Sequence, residues 1–196
     1  MALDVKKVYA PTPNQSATTG AVAVAPLGTT APASAVATLD SSTWDDSGYV
    51  DENGISVTIT RSTTPIRDWS KANVRNLLTE YTGSIACNFL QVDQFSAERL
   101  FGEDNVTVTE ASAQHGEQLK IAIGAQLPPR ESFCFSMKDG NARVRVYVPV
   151  GQFTEVGQVN FKPDAGNVIG GTIATYDDGT GHSIYFMYDD GEVVSG

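Results

Sequence analysis

One segment constrains the fold more than any other: the run VRNLLTEYTGSIACNFLQV at positions 74–92, in which residue character alternates. One set of alternate positions holds Tyr81, Ile85, Cys87 and Phe89, and the other holds Glu80, Thr82, Ser84, Ala86 and Asn88. Successive side chains of a β-strand point to opposite faces, so this pattern predicts a long strand. One of its faces belongs to a core, and the other is small, polar and mildly acidic.

Shorter strand candidates, separated by turn residues, occupy most of the remaining chain. They lie at 105–110, 117–125, 132–137, 142–150, 151–161, 167–176 and 182–188. Asn53-Gly54 favours a type I′ turn and predicts a hairpin within 47–61, whereas 62–73 is predicted to be an irregular loop. Turn residues at 138–141 and 177–181 predict two further hairpins.

The segment DQFSAERLFG at 93–102 is the one convincing helix. Asp93 can cap its N-terminus and Gly102 can end it. With about eight or nine strands and a single short helix, the chain is predicted to be an all-β sandwich or barrel.

The first 43 residues differ in composition from the rest, because they are rich in Ala, Thr, Ser and Pro. Such a segment folds poorly alone, so we expect an extended N-terminal arm at 1–43 and a single β-domain at 44–196. Within the arm, AVAVAPL at 21–27 could pair as a strand on an edge offered by another chain. The start of the chain imitates a signal peptide, but Asp4 and a polar TPNQSATT favour a cytoplasmic product.

Charge excludes two classes of partner. The 196-residue chain has 23 acidic and 13 basic residues, a net charge of −10. A protein that grips nucleic acid by its phosphates, or an anionic membrane, normally has the opposite sign. Cys87 and Cys134 lie among apolar residues, which indicates two buried free thiols.

Motifs for catalysis or cofactor binding are absent from the sequence. It contains no phosphate-binding GxxxxGK[ST], no GxGxxG and no GxSxG nucleophile elbow. His115 and His182 lie in predicted turns, and Asp177-Asp178-Gly179 lacks the ligand spacing of a calcium loop. We therefore predict no catalytic residue, no metal site and no cofactor.

Several motifs, in their order and spacing, resemble the major tail proteins of long-tailed, non-contractile bacteriophages, especially phages of actinobacteria. These proteins have a GY(I/V)xExG segment, a DW loop, a TEYT strand and a P-x-G-x-(V/F)-T-E-V-G segment. The matching residues here are Gly48, Tyr49, Val50, Glu52, Gly54, Asp68, Trp69, Thr79, Glu80, Tyr81, Thr82, Pro149, Gly151, Phe153, Thr154, Glu155, Val156 and Gly157. The resemblance covers about residues 44–176.

The resemblance implies a tail tube fold of two packed β-sheets with a flanking helix. Six such subunits would form a ring in which four strands from each close a barrel, and stacked rings would form the tail tube. Genome DNA would pass through the lumen without specific binding. The implied partners are the chain itself and the tape measure, tail terminator and tail tip proteins, in the virion tail and, during assembly, in the host cytoplasm.

The sequence also offers candidates for the surfaces of such a tube. Glu80, Thr82, Ser84, Ala86 and Asn88 are candidates for the lumen, since an acidic wall repels phosphates; an ordinary solvent-facing sheet explains them equally well. Arg67, Asp68 and Trp69 are candidates for an inter-subunit contact, because interface aromatics are frequent hot spots. Arg143 and Arg145 are expected on an outer or inter-subunit face, paired with acidic neighbours.

Two other classes remain open at this point. A phage-associated β-sandwich that binds carbohydrate or a cell surface would usually expose a cluster of Trp and Tyr, but only Trp44 and Trp69 occur. A capsid decoration protein, or the tube of a contractile secretion system, is the other alternative.

Overall fold

The computed structural model describes residues 3–14, 20–159, 161 and 166–193. The strands are β1 (Thr12–Pro13), β2 (Val22–Pro26), β3 (Asp45–Asp46), β4 (Val50–Arg67), β5 (Asn73–Phe89), β6 (Val106–Thr109), β7 (Gln118–Ile121), β8 (Glu131–Asp139), β9 (Ala142–Val156), β10 (Ile169–Thr175) and β11 (Tyr185–Asp189). The α-helix α1 is Gln94–Phe101, and single 3-10 turns are Val5–Lys7 and Glu103–Asn105. Within these ranges there are two sheets and no closed barrel, so the predicted all-β fold with one short helix is confirmed.

The larger sheet has nine strands in the order β3-β2-β8-β9-β10-β5-β4, with β1 beside β8 and β11 beside β9. The smaller sheet pairs β6 with β7. All pairs are antiparallel. The segments 142–150 and 151–161, predicted as two strands, form one continuous strand as far as Val156.

The predicted hairpin across 177–181 is wrong. β10 pairs with β5 and with the end of β9, while β11 pairs with the beginning of β9, so the two strands follow one another along the same edge of β9. The acidic turn at 177–181 carries the chain onward along β9 and does not reverse it onto β10. The hairpin across 138–141 is confirmed, with Asp139 opposite Ala142.

The predicted hairpin at Asn53-Gly54 is also wrong, because β4 runs through this site as one strand. Val50 pairs with Phe89 and Ile55 with Cys87, so the residues between Val50 and Ile55 bulge out of the ladder. Gly54 has a φ of +65°, the left-handed conformation that glycine adopts without strain. The Asn-Gly preference for positive φ is therefore used by a bulge instead of a reverse turn.

The segment 62–73, expected to be an irregular loop, is mostly strand. β4 and β5 remain paired from Ile59 opposite Gly83 to Arg67 opposite Asn73, and only 68–72 connect them. Pro65 is tolerated because β4 is the end strand of the sheet, where one side of the backbone needs no partner. Beyond the body of the protein the two strands form a ribbon, defined here as residues 59–81, whose side chains are almost all exposed.

The core lies on one face of the large sheet and beneath α1. Ile85, Cys87 and Phe89 are at most 1% exposed, as predicted for the apolar face of this strand, but Tyr81, predicted for the same face, is 42% exposed. They share one apolar cluster with β2, β8, β9, β10 and the buried side of α1. Phe153 packs between Phe89 and Phe133, with ring centroids 6.4 and 5.8 Å away. Cys87 and Cys134 are buried free thiols.

The helix begins and ends where its caps predict. The Asp93 side chain accepts from the Ser96 backbone N–H at 2.9 Å, and the Ser96 hydroxyl accepts from the Asp93 N–H at 3.0 Å. This reciprocal capping box fixes the first turn. Gly102, at φ +88°, ends the helix by donating to the Glu98 carbonyl at 2.7 Å.

The segment AVAVAPL forms a strand within its own chain. Its residues 22–26 form β2, which pairs with β8 of the same chain and is buried on both faces. Val22 and Val24 enter the main core, while Ala23 and Ala25 contact a second cluster around Trp44 and Tyr147. The expected addition of this strand to a neighbour is therefore wrong. The division of the chain into 1–43 and 44–196 stays a prediction.

Candidate assembly surfaces

The five residues predicted to line a lumen lie on one face of β5, opposite the core. Glu80, Thr82 and Ala86 are exposed, and Ser84 and Asn88 are half-buried. The Asn88 side-chain amide donates to the Asp51 carboxylate at 3.3 Å, which ties this row to the bulge of β4.

The same polar surface continues across four strands, β4, β5, β10 and β9, and is called the polar face below. Residues directly opposite each other in antiparallel strands share a face. The partners of the β5 row are Ser56, Thr58, Thr60 and Ser62 on β4, and Gly170, Thr172 and Ala174 on β10, which in turn are opposite Glu155 and Gln152 on β9. These paired positions include two carboxylates, Glu80 and Glu155, and no Lys or Arg.

The four strands of the polar face end in two open edges. β4 is the last strand of the sheet, so the side turned away from β5 pairs with no described strand. β9 pairs with β8 only as far as Gly151, and its last residues, 152–156, pair with β10 alone within the described chain. Open edges present unpaired N–H and C=O groups and are templates for pairing with another chain.

The ribbon exposes an unusual number of large apolar side chains. Ile59, Ile66, Trp69, Val74, Leu77, Leu78 and Tyr81 are each at least 39% exposed, and Trp69 is fully exposed at its tip. A concentration of exposed apolar side chains on one segment is typical of an interaction site.

The tip of the ribbon holds its shape through Asp68. Its carboxylate accepts from the Ser70 hydroxyl at 2.7 Å and from the Ala72 backbone N–H at 2.9 Å. The bond from Ser70, followed by that from Ala72, lowers the pKa of Asp68. Lys71 adopts a φ of +68°, which closes the connection. Arg67, Asp68 and Trp69, the predicted inter-subunit residues, therefore lie together at an exposed and preorganised turn.

Within the part of the chain that the structure describes, Arg143 and Arg145 do not have the acidic partners expected for them. Arg145 is 5% exposed, and its guanidinium donates to the Ser34 carbonyl at 2.8 Å and to the Ser136 hydroxyl at 3.3 Å. Arg143 donates to the carbonyls of Gly140 and Ala142. Because segment 27–44 covers this side of β8 and β9, backbone carbonyls take the place of carboxylates.

A partly buried ionic cluster, which no sequence motif indicated, joins the helix to strands β3 and β8. Arg99 on α1 donates to Glu131 on β8 at 2.7 Å and to Asp45 on β3 at 2.8 Å. Burial raises the pKa of Glu131 to about 7, although the guanidinium of Arg99 opposes the rise. No sequence motif could indicate this cluster, because Arg99 is 32 positions from Glu131 and 54 positions from Asp45.

In the acidic turn at 177–181, Asp178 hydrogen-bonds to the turn itself and to the following strand β11. Asp178 accepts from the Tyr185 hydroxyl and from the Thr180 hydroxyl and N–H, and these bonds lower its pKa. Among the described residues no group of three or more His, Cys, Asp or Glu could hold a metal ion. In the same part of the chain, no helix has the length and apolar character needed to span a membrane.

An all-β body with open sheet edges and a projecting apolar ribbon defines a structural protein of the self-associating class. Residues 12–195 match the family model described as phage tail tube protein, and the chain belongs to this family. It is thus a structural component of the virion tail, as the motifs at 44–176 predicted. Comparison with curated proteins gives no match.

Proposed function

We propose that six copies of this chain close into a ring, and that rings stack into a tube whose bore conducts the phage DNA. The observation that carries the proposal is the polar face, a four-stranded unit with an open edge on each side. Pairing the β4 edge of one subunit with the 152–156 edge of the next would continue the sheet around an axis. Closure also removes both edges, which are otherwise an aggregation hazard.

The strand directions favour this closure. From β9 through β10 and β5 to β4 every pair is antiparallel, so β4 runs opposite to β9. A neighbour's β4 placed beside β9 would therefore form another antiparallel pair, and the alternation would continue without a break. Six subunits would give a barrel of about 24 strands, wider than the 16–18 strands that already leave an aqueous channel.

The charges of the polar face suit a bore that DNA must traverse. DNA carries about one negative charge per 1.7 Å of duplex, so a basic wall would bind it and stall its passage. Glu80 and Glu155 are exposed on this face, and its paired positions have no cation to bind a phosphate. Glu80, Thr82, Ser84, Ala86 and Asn88 are thus our proposed lumen residues.

Contacts between subunits outside the barrel are assigned to the ribbon tip. Arg67, Asp68 and Trp69 project from the body, and burying the Trp69 indole against another subunit would supply the large apolar area typical of a hot spot. The other partners of the tube would be the tape measure, tail terminator and tail tip proteins. In this role the chain acts as a scaffold and performs no catalysis.

Negative-stain electron microscopy of concentrated protein, at low and at high salt, tests the proposal. We expect rings or hollow tubes with a bore wide enough for duplex DNA. Monomers under every condition, together with binding on a glycan array, would instead favour the carbohydrate-binding module. Globular particles that bind only to assembled capsids would favour a decoration protein.

A further inference from the structure

The ribbon is basic, in contrast to the rest of this acidic chain. Residues 59–81 contain four of the 13 Lys and Arg but only two of the 23 Asp and Glu. Arg67, Lys71 and Arg75 cluster around the tip, with Asp68 as the one nearby carboxylate. All four of these residues are exposed. The segment that protrudes furthest therefore has a charge opposite to that of the body.

The tip cations are not used within the subunit. None of Arg67, Lys71 and Arg75 has a carboxylate of the described residues within 4.0 Å, unlike Arg99, which pairs with Glu131 and Asp45. Asp68 is occupied by Ser70 and Ala72. A positively charged surface beside a fully exposed indole is thus left without a partner of either kind.

The other end of the same two strands has the complementary character. This surface, called the acidic end, consists of Tyr49, Asp51, Glu52 and Leu90. Tyr49 is 65% and Leu90 45% exposed, and the Leu90 N–H donates to the Tyr49 carbonyl at 2.8 Å, which holds the two side by side. The bulge of β4 presents Asp51 and Glu52 beside them, and the contacts of Asp51 are with the amides of Asn53 and Asn88, not with a cation.

We propose that the ribbon tip of one subunit docks on the acidic end of a second copy of this chain in the adjacent ring. The inference rests on the proposed function and names the surface that receives the ribbon. Trp69 would pack against Tyr49 and Leu90, while Arg67 and Arg75 would pair with Asp51 and Glu52. Charge complementarity identifies the occupant, because the chain supplies both the basic apolar surface and the acidic apolar surface.

The separation of the two surfaces lets one contact bridge adjacent rings. The tip and the acidic end lie at opposite ends of β4 and β5, roughly 50 Å apart for strands of 17 and 18 residues. A head-to-tail contact between two different surfaces generates a closed ring if the rotation between subunits closes and a filament if it does not. The exposed part of the ribbon, about nine residues per strand, is roughly 30 Å long and can reach beyond its own ring.

Reciprocal charge reversal tests the contact. The variant Arg67→Glu/Arg75→Glu and the variant Asp51→Lys/Glu52→Lys are each expected to form rings but not tubes, and a mixture of the two is expected to regain tubes of alternating composition. The control Lys7→Glu/Lys120→Glu makes the same charge change on exposed cations outside the ribbon and should leave tubes intact. Microscopy counts rings and tubes, and sedimentation velocity at low salt measures end-to-tip association even where no ring closes.

The outcomes separate this inference from the function on which it rests. If the parent protein forms tubes and both reversed variants do so equally well, the docking surface is wrong and the tube stands. If the parent forms neither rings nor tubes, the proposed function fails; in that case self-association lost in each variant and regained in the mixture still supports the contact. Should the ribbon variant instead lose binding to duplex DNA with no change in self-association, the partner is nucleic acid and the inference is overturned.

Discussion

The hydroxyls of Tyr81 and Ser183 are hydrogen-bonded at 2.9 Å, at the point where β5 leaves the body of the protein. Tyr81 is 42% exposed, whereas Ser183 is 4% exposed. Two residues further along β5, a Cβ on Gly83 would lie 2.4 Å from the Thr175 hydroxyl, so the backbone passes close to β10. The ribbon is therefore attached to the body by a polar contact as well as by its strands.

Replacing Tyr81 by Phe is expected to loosen the base of the ribbon. The change removes the partner of a buried hydroxyl, which typically costs about 1–3 kcal/mol of stability. Hydrogen exchange of the 59–81 amides should quicken more than that of the core strands, and chemical denaturation should report the loss. Tyr49→Phe, at an exposed ring, is the matched control. Equal exchange rates in the two variants would show that the Tyr81–Ser183 bond does not anchor the ribbon.

The alternation in β5 was predictable because burial on one face forces a period of two. Ile85, Cys87 and Phe89 follow it, whereas Tyr81 is 42% exposed because it lies in the ribbon, beyond the core. The pattern also predicted the polar residues on the other face of β5, because the opposite face of a half-buried strand is fixed once the core face is known. The helix was equally predictable, because its capping box and final glycine act within the segment itself.

What could not be predicted depended on partners distant in sequence. Asn53-Gly54 has the local preference of a hairpin turn, but pairing of β4 with β5 on both sides of it makes it a bulge. Likewise Arg99 meets Glu131 and Asp45 only because the tertiary structure brings α1 close to β3 and β8. Local sequence preference can indicate a positive φ or a charged side chain. The tertiary structure determines whether that φ forms a turn or a bulge, and which partner the charge meets.

The buried carboxyl of Glu131 predicts a dependence of stability on pH. Its pKa in the folded chain is about 7, against a usual value of 4.5. The folded state therefore binds this proton more tightly than the unfolded state, and the stabilisation is complete below pH 4.5 and lost as the pH rises through 7. Glu131→Gln keeps an acceptor for Arg99 but does not titrate, so between pH 5 and 8 the variant should gain on the order of 2–3 kcal/mol relative to the parent.

Chemical denaturation at a series of pH values measures this difference. Glu117→Gln is the control, because it makes the same substitution at an exposed carboxylate. Unfolding free energies of the parent and Glu131→Gln that change in parallel with pH would contradict the assignment.

Thiol crosslinking tests whether β4 pairs with the 152–156 edge of a neighbour. In Thr58→Cys/Thr154→Cys, a bis-maleimide of about 8 Å should join subunits into a ladder that ends at the hexamer, because within one subunit the two positions are about three strand spacings, or 14 Å, apart. The native thiols should not react, since burial raises the pKa of Cys87 to about 12 and of Cys134 to about 11. Thr58→Cys/Thr107→Cys, with the second thiol on the small sheet, should give no ladder. A ladder of equal length from both variants would reject edge pairing.

Reversing the charge of the polar face should make the bore of the tube bind DNA. In assembled tubes, Glu80→Lys/Glu155→Lys places cations where we propose that DNA passes, so short linear duplexes should be retained, and more strongly at low salt because phosphate binding releases counterions. The control Glu110→Lys/Glu117→Lys makes the same net change on exposed residues near the small sheet. Nuclease separates the two cases, because DNA within a bore is protected and DNA on an outer wall is degraded. If the two variants protect equal amounts of DNA, Glu80 and Glu155 do not face the bore, and the polar face lies on another surface of the tube.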